Sequence, residues 1–207
     1  MLYFRDSSHI INPGIAMKKK IAILASGSGT NAQKIMSYFQ HHEVGEVALV
    51  LSNKPDAYVL ERARKFNINT HVFDRERFYN STEVLDLIID TGVSLVVLAG
   101  FLWLVPTDLI RAFPDRMINI HPALLPDYGG KGMYGKYVHE AVIRNQEKES
   151  GISIHYVNEV YDDGKIIRQE KCEVKPDDTP ESLAQRIHQL EYKFYPLVIE
   201  ELLQGLD

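Results

Sequence analysis

The chain has 207 residues, 45% of them hydrophobic, 25% charged and 10% aromatic, with a formal net charge of −5 and a single cysteine. These proportions exclude a disordered or collagen-like chain and allow one α/β domain with a sizeable core. Cys172 alone can make neither an internal disulfide nor a cysteine zinc cluster, and the acidic balance disfavours general nucleic-acid binding, which needs a basic surface.

No stretch approaches the ~20 apolar residues needed to cross a bilayer. Residues 1–16 contain Arg5 and Asp6, lack periodicity and lack the apolar core of a signal peptide. They are expected to be a leader outside the fold, with Met17 as a start and a cytoplasmic location.

From Lys20 onward, short apolar runs alternate with segments of helical period. Residues 21–25 are a continuous apolar run, as in a strand buried on both faces, and a glycine-rich turn follows at 26–31. A helix is expected over 32–39, a strand at 47–51, a helix at 58–66 and a short strand at 70–73. Next come a helix at 82–90, a strand at 95–99, a helix at 107–112 and a strand at 117–120. A long Gly-rich loop spans 122–135, then a helix at 138–145 and two extended runs at 152–157 and 165–174. Thr179-Pro180-Glu181-Ser182 supplies an N-cap, Pro at the first helical position and an acidic first turn for a C-terminal helix. The alternation predicts one doubly wound, mostly parallel sheet of Rossmann type, with the two late strands antiparallel at an edge.

Such sheets bind ligands at the C-terminal ends of their strands. Ser26-Gly27-Ser28-Gly29-Thr30-Asn31 sits there. Glycines let a ligand approach the backbone, and the free N–H groups of a helix N-terminus favour an anion such as phosphate. A tight turn with an ordinary N-cap is the plainer alternative. Gly27, Gly29 and Ala32 also satisfy the dinucleotide pattern G-x-G-x-x-A, but the second strand ends Leu51-Ser52-Asn53-Lys54 with no ribose-binding carboxylate. That disfavours NAD, while Lys54 leaves a faint opening for NADP; no Lys follows the glycines as ATP or GTP would require.

In Asn119-Ile120-His121-Pro122 the strand period of two puts Asn119 and His121 on one face, roughly 6–7 Å apart. Asn can donate to an oxyanion and His titrates near neutrality, which suits acyl or formyl transfer to an amine. A carboxylate to orient the histidine is available at Asp162 or Asp163, and the spacing alone does not choose between them.

Taken in order, Ala25 through Asn31, Leu98-Ala99-Gly100-Phe101, Ile118 through Pro126 and His155-Tyr156-Val157 through Asp162-Asp163-Gly164 resemble the phosphoribosylglycinamide formyltransferases, folate-dependent enzymes of purine synthesis. The resemblance spans nearly all of residues 20–203. It implies transfer of a formyl group from 10-formyltetrahydrofolate to the amine of glycinamide ribonucleotide, with neither metal nor nicotinamide. It implies a catalytic trio of Asn119 (oxyanion), His121 and Asp162, a phosphate site at Gly29, Thr30 and Asn31, and nucleotide contacts from His188 and Glu191. A folate pocket would be lined by Leu102, Trp103, Leu104, Val105 and Val157. Two positions depart from familiar members, with Trp103 in place of Arg and His188 in place of Gln. The Gly-rich stretch 128–135 is longer than in those members and is expected to act as a lid. The implied partners are the two small molecules alone, with no nucleic acid or membrane and a monomer or homodimer. A methionyl-tRNA formyltransferase would add a C-terminal RNA-binding domain, for which a chain ending at Asp207 is not expected to have room. A formyltetrahydrofolate hydrolase would add an N-terminal regulatory domain, and a non-enzymatic nucleotide-binding protein would leave Asn119 and His121 unexplained.

Overall fold

A computed structural model of the protein describes residues 17–206, so the expected leader lies outside the described residues. The elements in chain order are β1 (Lys19–Leu24), α1 (Thr30–Phe39), β2 (Gly45–Ser52), α2 (Tyr58–Lys65), β3 (Asn69–Val72), α3 (Arg75–Tyr79) and α4 (Glu83–Asp90). They continue with β4 (Val93–Leu98), α5 (Thr107–Ala112), β5 (Met117–His121), α6 (Lys136–Arg144), β6 (Glu149–Tyr156), β7 (Ile166–Glu173) and α7 (Pro180–Gly205).

The strands form a single sheet in the order β3-β2-β1-β4-β5-β6-β7. β1 to β5 are parallel, while β6 runs antiparallel to both β5 and β7. The doubly wound sheet with an antiparallel edge is therefore as the sequence implied. β1 and β4 read as unbroken apolar runs because helices cover both their faces. Ile21, Ile23, Leu95 and Val97 pack with residues of α1, α2, α6 and α7 on one side. Ala22, Leu24, Val96 and Leu98 pack with Phe73, Phe78, Ile88 and Leu109 on the other.

The chain leaves β1 towards β2 in one direction and later returns to β4 on β1's other flank. That reversal opens a crevice at the C-terminal ends of β1 and β4, where ligands bind in such sheets. α7 closes one side of it. Thr179 and Ser182 form a reciprocal capping box that starts the helix, and Pro180 is preset for its first turn. The fully buried Tyr195 donates its hydroxyl to the Leu98 carbonyl at 2.9 Å, tying α7 to the end of β4.

Several elements differ from expectation: β2, α6 and β6 begin at Gly45, Lys136 and Glu149, earlier than expected, and two further differences have a local cause. α3 was not anticipated, because five residues are too few to show a helical period. It forms because Asp74 accepts a hydrogen bond from the Arg77 N–H at 2.9 Å and Phe78 buries against Phe73, with ring centroids 4.8 Å apart. α1 starts at Thr30 instead of residue 32, so Thr30 and Asn31 belong to its first turn. No helix among the described residues is long and apolar enough to cross a membrane.

Candidate active site

The crevice is a cleft of about 560 Å³, and every site residue singled out from the sequence lines it. At one end lies the glycine turn. Gly29 takes φ 71° and caps α1 without any side-chain hydrogen bond, so no side chain of the turn takes the helix's leading N–H groups. Val59 N–H donates to the Gly27 carbonyl at 3.1 Å, holding the turn against α2. Facing it from α7 are His188 and Glu191, three residues apart on the cleft side. Asn31 Nδ2 donates to Glu191 Oε2 at 3.0 Å, which joins the two walls. Glu191 is only 6% exposed, and burial pushes its carboxyl up to about 7 against the pull of that hydrogen bond. His188 stacks on Tyr192 and is held below the usual histidine range by burial.

The centre of the cleft holds Asn119, His121 and Asp162. Antiparallel register sets Asn119 opposite His155 across β5 and β6. The chain then doubles back after β6, and Asp162 (φ 54°) presents its carboxylate to the strand it left. Asp163 points away and accepts from Asn158 Nδ2 at 3.2 Å, so the pair is resolved geometrically: only Asp162 lines the cleft. Asp162 Oδ2 accepts from the Gly130 N–H at 2.9 Å and lies 3.5 Å from His121 Nδ1, while Oδ1 accepts from Asn119 Nδ2 at 3.3 Å.

His155 and His121 differ in their partners. His155 Nδ1 lies 2.8 Å from the Tyr156 carbonyl, and its Nε2 lies 3.1 Å from Asn119 Nδ2 and 3.7 Å from Asp162 Oδ1, between a donor and a carboxylate. His121 instead faces an acceptor on each nitrogen: the Tyr128 carbonyl, 2.8 Å from Nε2, and the Asp162 carboxylate. Only an imidazolium can donate to both. Burial opposes that cation and outweighs the pull of Asp162 and Tyr128, so the His121 pKa is lowered. Burial pushes the Asp162 carboxyl upward, but His155, His121 and the Gly130 N–H prevail and hold it below its usual range. The arrangement is a neutral base whose protonated form already has its acceptors in place.

The other end of the cleft is apolar and is made by the segment after β4. Ser26 Oγ accepts from the Leu102 N–H at 3.1 Å and Tyr79 donates to the Leu104 carbonyl at 2.9 Å, pinning this segment from two sides. Val105 is buried, Leu102 is exposed at the rim, and Val157 packs beside them. Trp103 both lines the cleft and packs on an aromatic cluster, stacked on Tyr79 at 6.0 Å with the Arg75 guanidinium 4.9 Å above its ring.

The formyl transferase family pattern matches residues 19–199, most of the chain. A phosphoribosylglycinamide formyltransferase of Haemophilus influenzae is 38% identical over 90% of this chain and 88% of its own length. The chain belongs to the phosphoribosylglycinamide formyltransferases. A chloroplastic member from Arabidopsis thaliana is 43% identical over 88% of this chain, which spans 64% of that protein's length. The crystal structure of glycinamide ribonucleotide transformylase 1 from Symbiobacterium toebii superposes with a TM-score of 0.83 at 35% identity, covering 91% of this chain and 89% of that one.

Three parts of this formyltransferase cleft carried no mark as site residues in the sequence. The Tyr128 carbonyl and Gly130 N–H are backbone groups, which have no residue signature. His155 was legible as part of the strand motif His155-Tyr156-Val157 but not as a site residue, although its pairing opposite Asn119 follows from two antiparallel neighbours. His139, on α6, is a polar residue within an otherwise apolar stripe, and that break in the pattern was the available signal. Among the described residues, no group of three or more His, Cys, Asp or Glu side chains is arranged to hold a metal ion.

Proposed function

We propose that this cleft transfers the formyl group of 10-formyltetrahydrofolate to the amino group of glycinamide ribonucleotide, giving N-formylglycinamide ribonucleotide and tetrahydrofolate in purine synthesis. The observation that carries the reading is the convergence of Asn119, His121 and Asp162 midway between a polar, helix-capped end and an apolar end of one cleft. The phosphate sits at the α1 N-terminus, contacted by Gly29, Thr30 and Asn31, with Glu191 and His188 towards the ribose. The folate lies along Leu102, Trp103, Leu104, Val105 and Val157.

In the reaction the amine lone pair attacks the formyl carbon and the carbonyl oxygen gains the negative charge. Asn119 Nδ2 donates to that oxyanion, which competes with Asp162 Oδ1 for one amide proton. The His121–Asp162 pair takes the proton shed by the amine and returns it to the departing folate nitrogen as the carbon–nitrogen bond breaks. His121 begins neutral, and the imidazolium is met by the Tyr128 carbonyl and the Asp162 carboxylate without reorganisation. A cytoplasmic location, two small-molecule substrates and a monomer or homodimer belong to the same reading.

A spectrophotometric assay with both substrates tests it. Donor turnover that requires the ribonucleotide is the expected result. Turnover indifferent to the ribonucleotide would identify a hydrolase, and tight dinucleotide binding without folate turnover a binding protein.

A further inference from the structure

Five buried side-chain polar atoms have no hydrogen-bond partner among the described residues: Asn31 Oδ1, Asn53 Oδ1, His71 Nε2, His139 Nδ1 and Ser150 Oγ. Asn31 and His139 line the cleft. Asn31 is engaged through its amide with Glu191, but His139 makes no side-chain hydrogen bond to the described residues through either nitrogen. It is 2% exposed and flanked on α6 by the buried Val138, Ala141 and Val142. An apolar side chain there would avoid the cost of burying an unsatisfied imidazole, about 1–3 kcal/mol. A polar ring held unpartnered in a ligand cleft is a group reserved for the ligand.

Its neighbours say which part of the ligand. His139 lines the same cleft as His188 at the nucleotide end and His121 at the reacting centre. Burial above all, with those two imidazoles adding to it, holds it at about 4, so it is neutral. A neutral imidazole offers one donor and one acceptor. That matches an uncharged amide or hydroxyl and suits a phosphate dianion poorly.

We propose that His139 is a substrate-recognition residue that hydrogen-bonds the uncharged part of the ribonucleotide between its phosphate and its reacting amine. The inference rests on the function proposed above and adds to it the residue that reads this linker. The linker contains two such groups, the glycinamide carboxamide and the ribose hydroxyls. His139 gives the enzyme a means of rejecting phosphorylated sugars with the right ends and the wrong middle.

The test compares His139→Leu and His139→Asn with the parent enzyme in KM for each substrate, kcat, thermal stability and calorimetric binding of ribose 5-phosphate. His139→Leu is expected to raise KM for the ribonucleotide about tenfold. KM for the folate donor should hold, and the melting temperature of His139→Leu should hold or rise because the unpartnered imidazole is gone. His139→Asn, still neutral and hydrogen-bonding, should recover most of the loss in KM. Ribose 5-phosphate affinity that falls in step assigns the contact to a ribose hydroxyl; unchanged affinity assigns it to the carboxamide. A ribonucleotide KM within twofold of the parent, equal rises for both substrates, or a lowered melting temperature with no recovery by Asn would each overturn the proposal. If His139→Leu fails to fold, His139→Met provides the same comparison. Absence of ribonucleotide-dependent turnover in the parent would refute the function itself; normal parent turnover with indifferent variants refutes the role of His139 alone.

Discussion

Replacing Asp162 with Asn removes one charge and keeps the shape, and its consequence can be sized from the geometry. The carboxylate lies 3.5 Å from His121 Nδ1, and the two side chains are 11% and 4% exposed. At an effective dielectric of about 20, a charge pair at that separation is worth about 4 to 5 kcal/mol. This stabilisation acts only when His121 carries a proton, so it is realised in the transition state and not in the neutral ground state. Its loss corresponds to a fall in kcat of about three decades at saturating substrates. The amide also cannot serve both sides, because Oδ2 receives the Gly130 N–H while Oδ1 receives the Asn119 amide. One side acquires an N–H where an acceptor is needed. Ribonucleotide affinity, measured separately by calorimetry, should stay within about threefold, since Asp162 lies away from the phosphate end. A variant with kcat within tenfold of the parent would refute the charge role assigned to Asp162.

Three further predictions concern stability. Glu191 titrates at about 7 in the folded chain against about 4.3 unfolded, so its favourable contribution is complete below about pH 4 and is lost as pH rises towards 7. Glu191→Gln should therefore gain roughly 2 to 3 kcal/mol on the parent between about pH 5 and pH 8, a widening of about 5 to 10 °C in melting temperature; a gap independent of pH would contradict it. Gly29→Ala places a Cβ 2.5 Å from the Cβ and Cγ2 of Val59 in a left-handed conformation, and should cost about 3 kcal/mol, or about 6 to 12 °C. A melting temperature within a degree of the parent would show that the turn can shift. Hydrogen bonds from Arg186 at 2.8 and 2.9 Å, supported by the Lys175 N–H and Ser182, hold the Asp178 carboxyl well below its usual range despite burial. Its contribution is present above the unfolded value and is lost as pH falls through the folded one, so the deficit of Arg186→Met, about 1.5 to 3 kcal/mol near neutrality, should shrink in acid denaturant titrations.

What the sequence disclosed follows from which interactions leave a local trace. β1 and β4 were plain because both faces are covered, and α7 because its cap and proline sit at adjacent positions. The neighbouring of β1 and β4 left no such trace, since it joins segments some seventy residues apart in the chain; only the general behaviour of alternating strands and helices implied it. Asp162 and Asp163 are chemically identical neighbours, and what separates them is the return of the chain towards Gly130 and Asn119. The helix of Arg75 to Tyr79 was invisible because a buried phenylalanine and one cap hold it, not a repeated stripe. Trp103 was expected at the cleft wall, and its ring also stacks on Tyr79, which comes from a separate segment of the chain.

The anchoring of α7 to β4 through Tyr195 has a consequence for synthesis of the chain. Asn31 and Glu191, which join across the polar end of the cleft, are 160 residues apart. Six side chains of α7 that are fully buried (Leu183, Ile187, Tyr195, Val198, Ile199 and Leu203) cover the face of the sheet beside α1. A nascent chain that has emerged only as far as β7 therefore has Asn119, His121 and Asp162 in hand but an open apolar flank and only one wall of the cleft's polar end. Such long-range closure folds slowly and leaves the flank exposed meanwhile. The segment 180–205 thus completes two things at once: the seal over this face of the sheet and the Asn31–Glu191 link across the cleft form together.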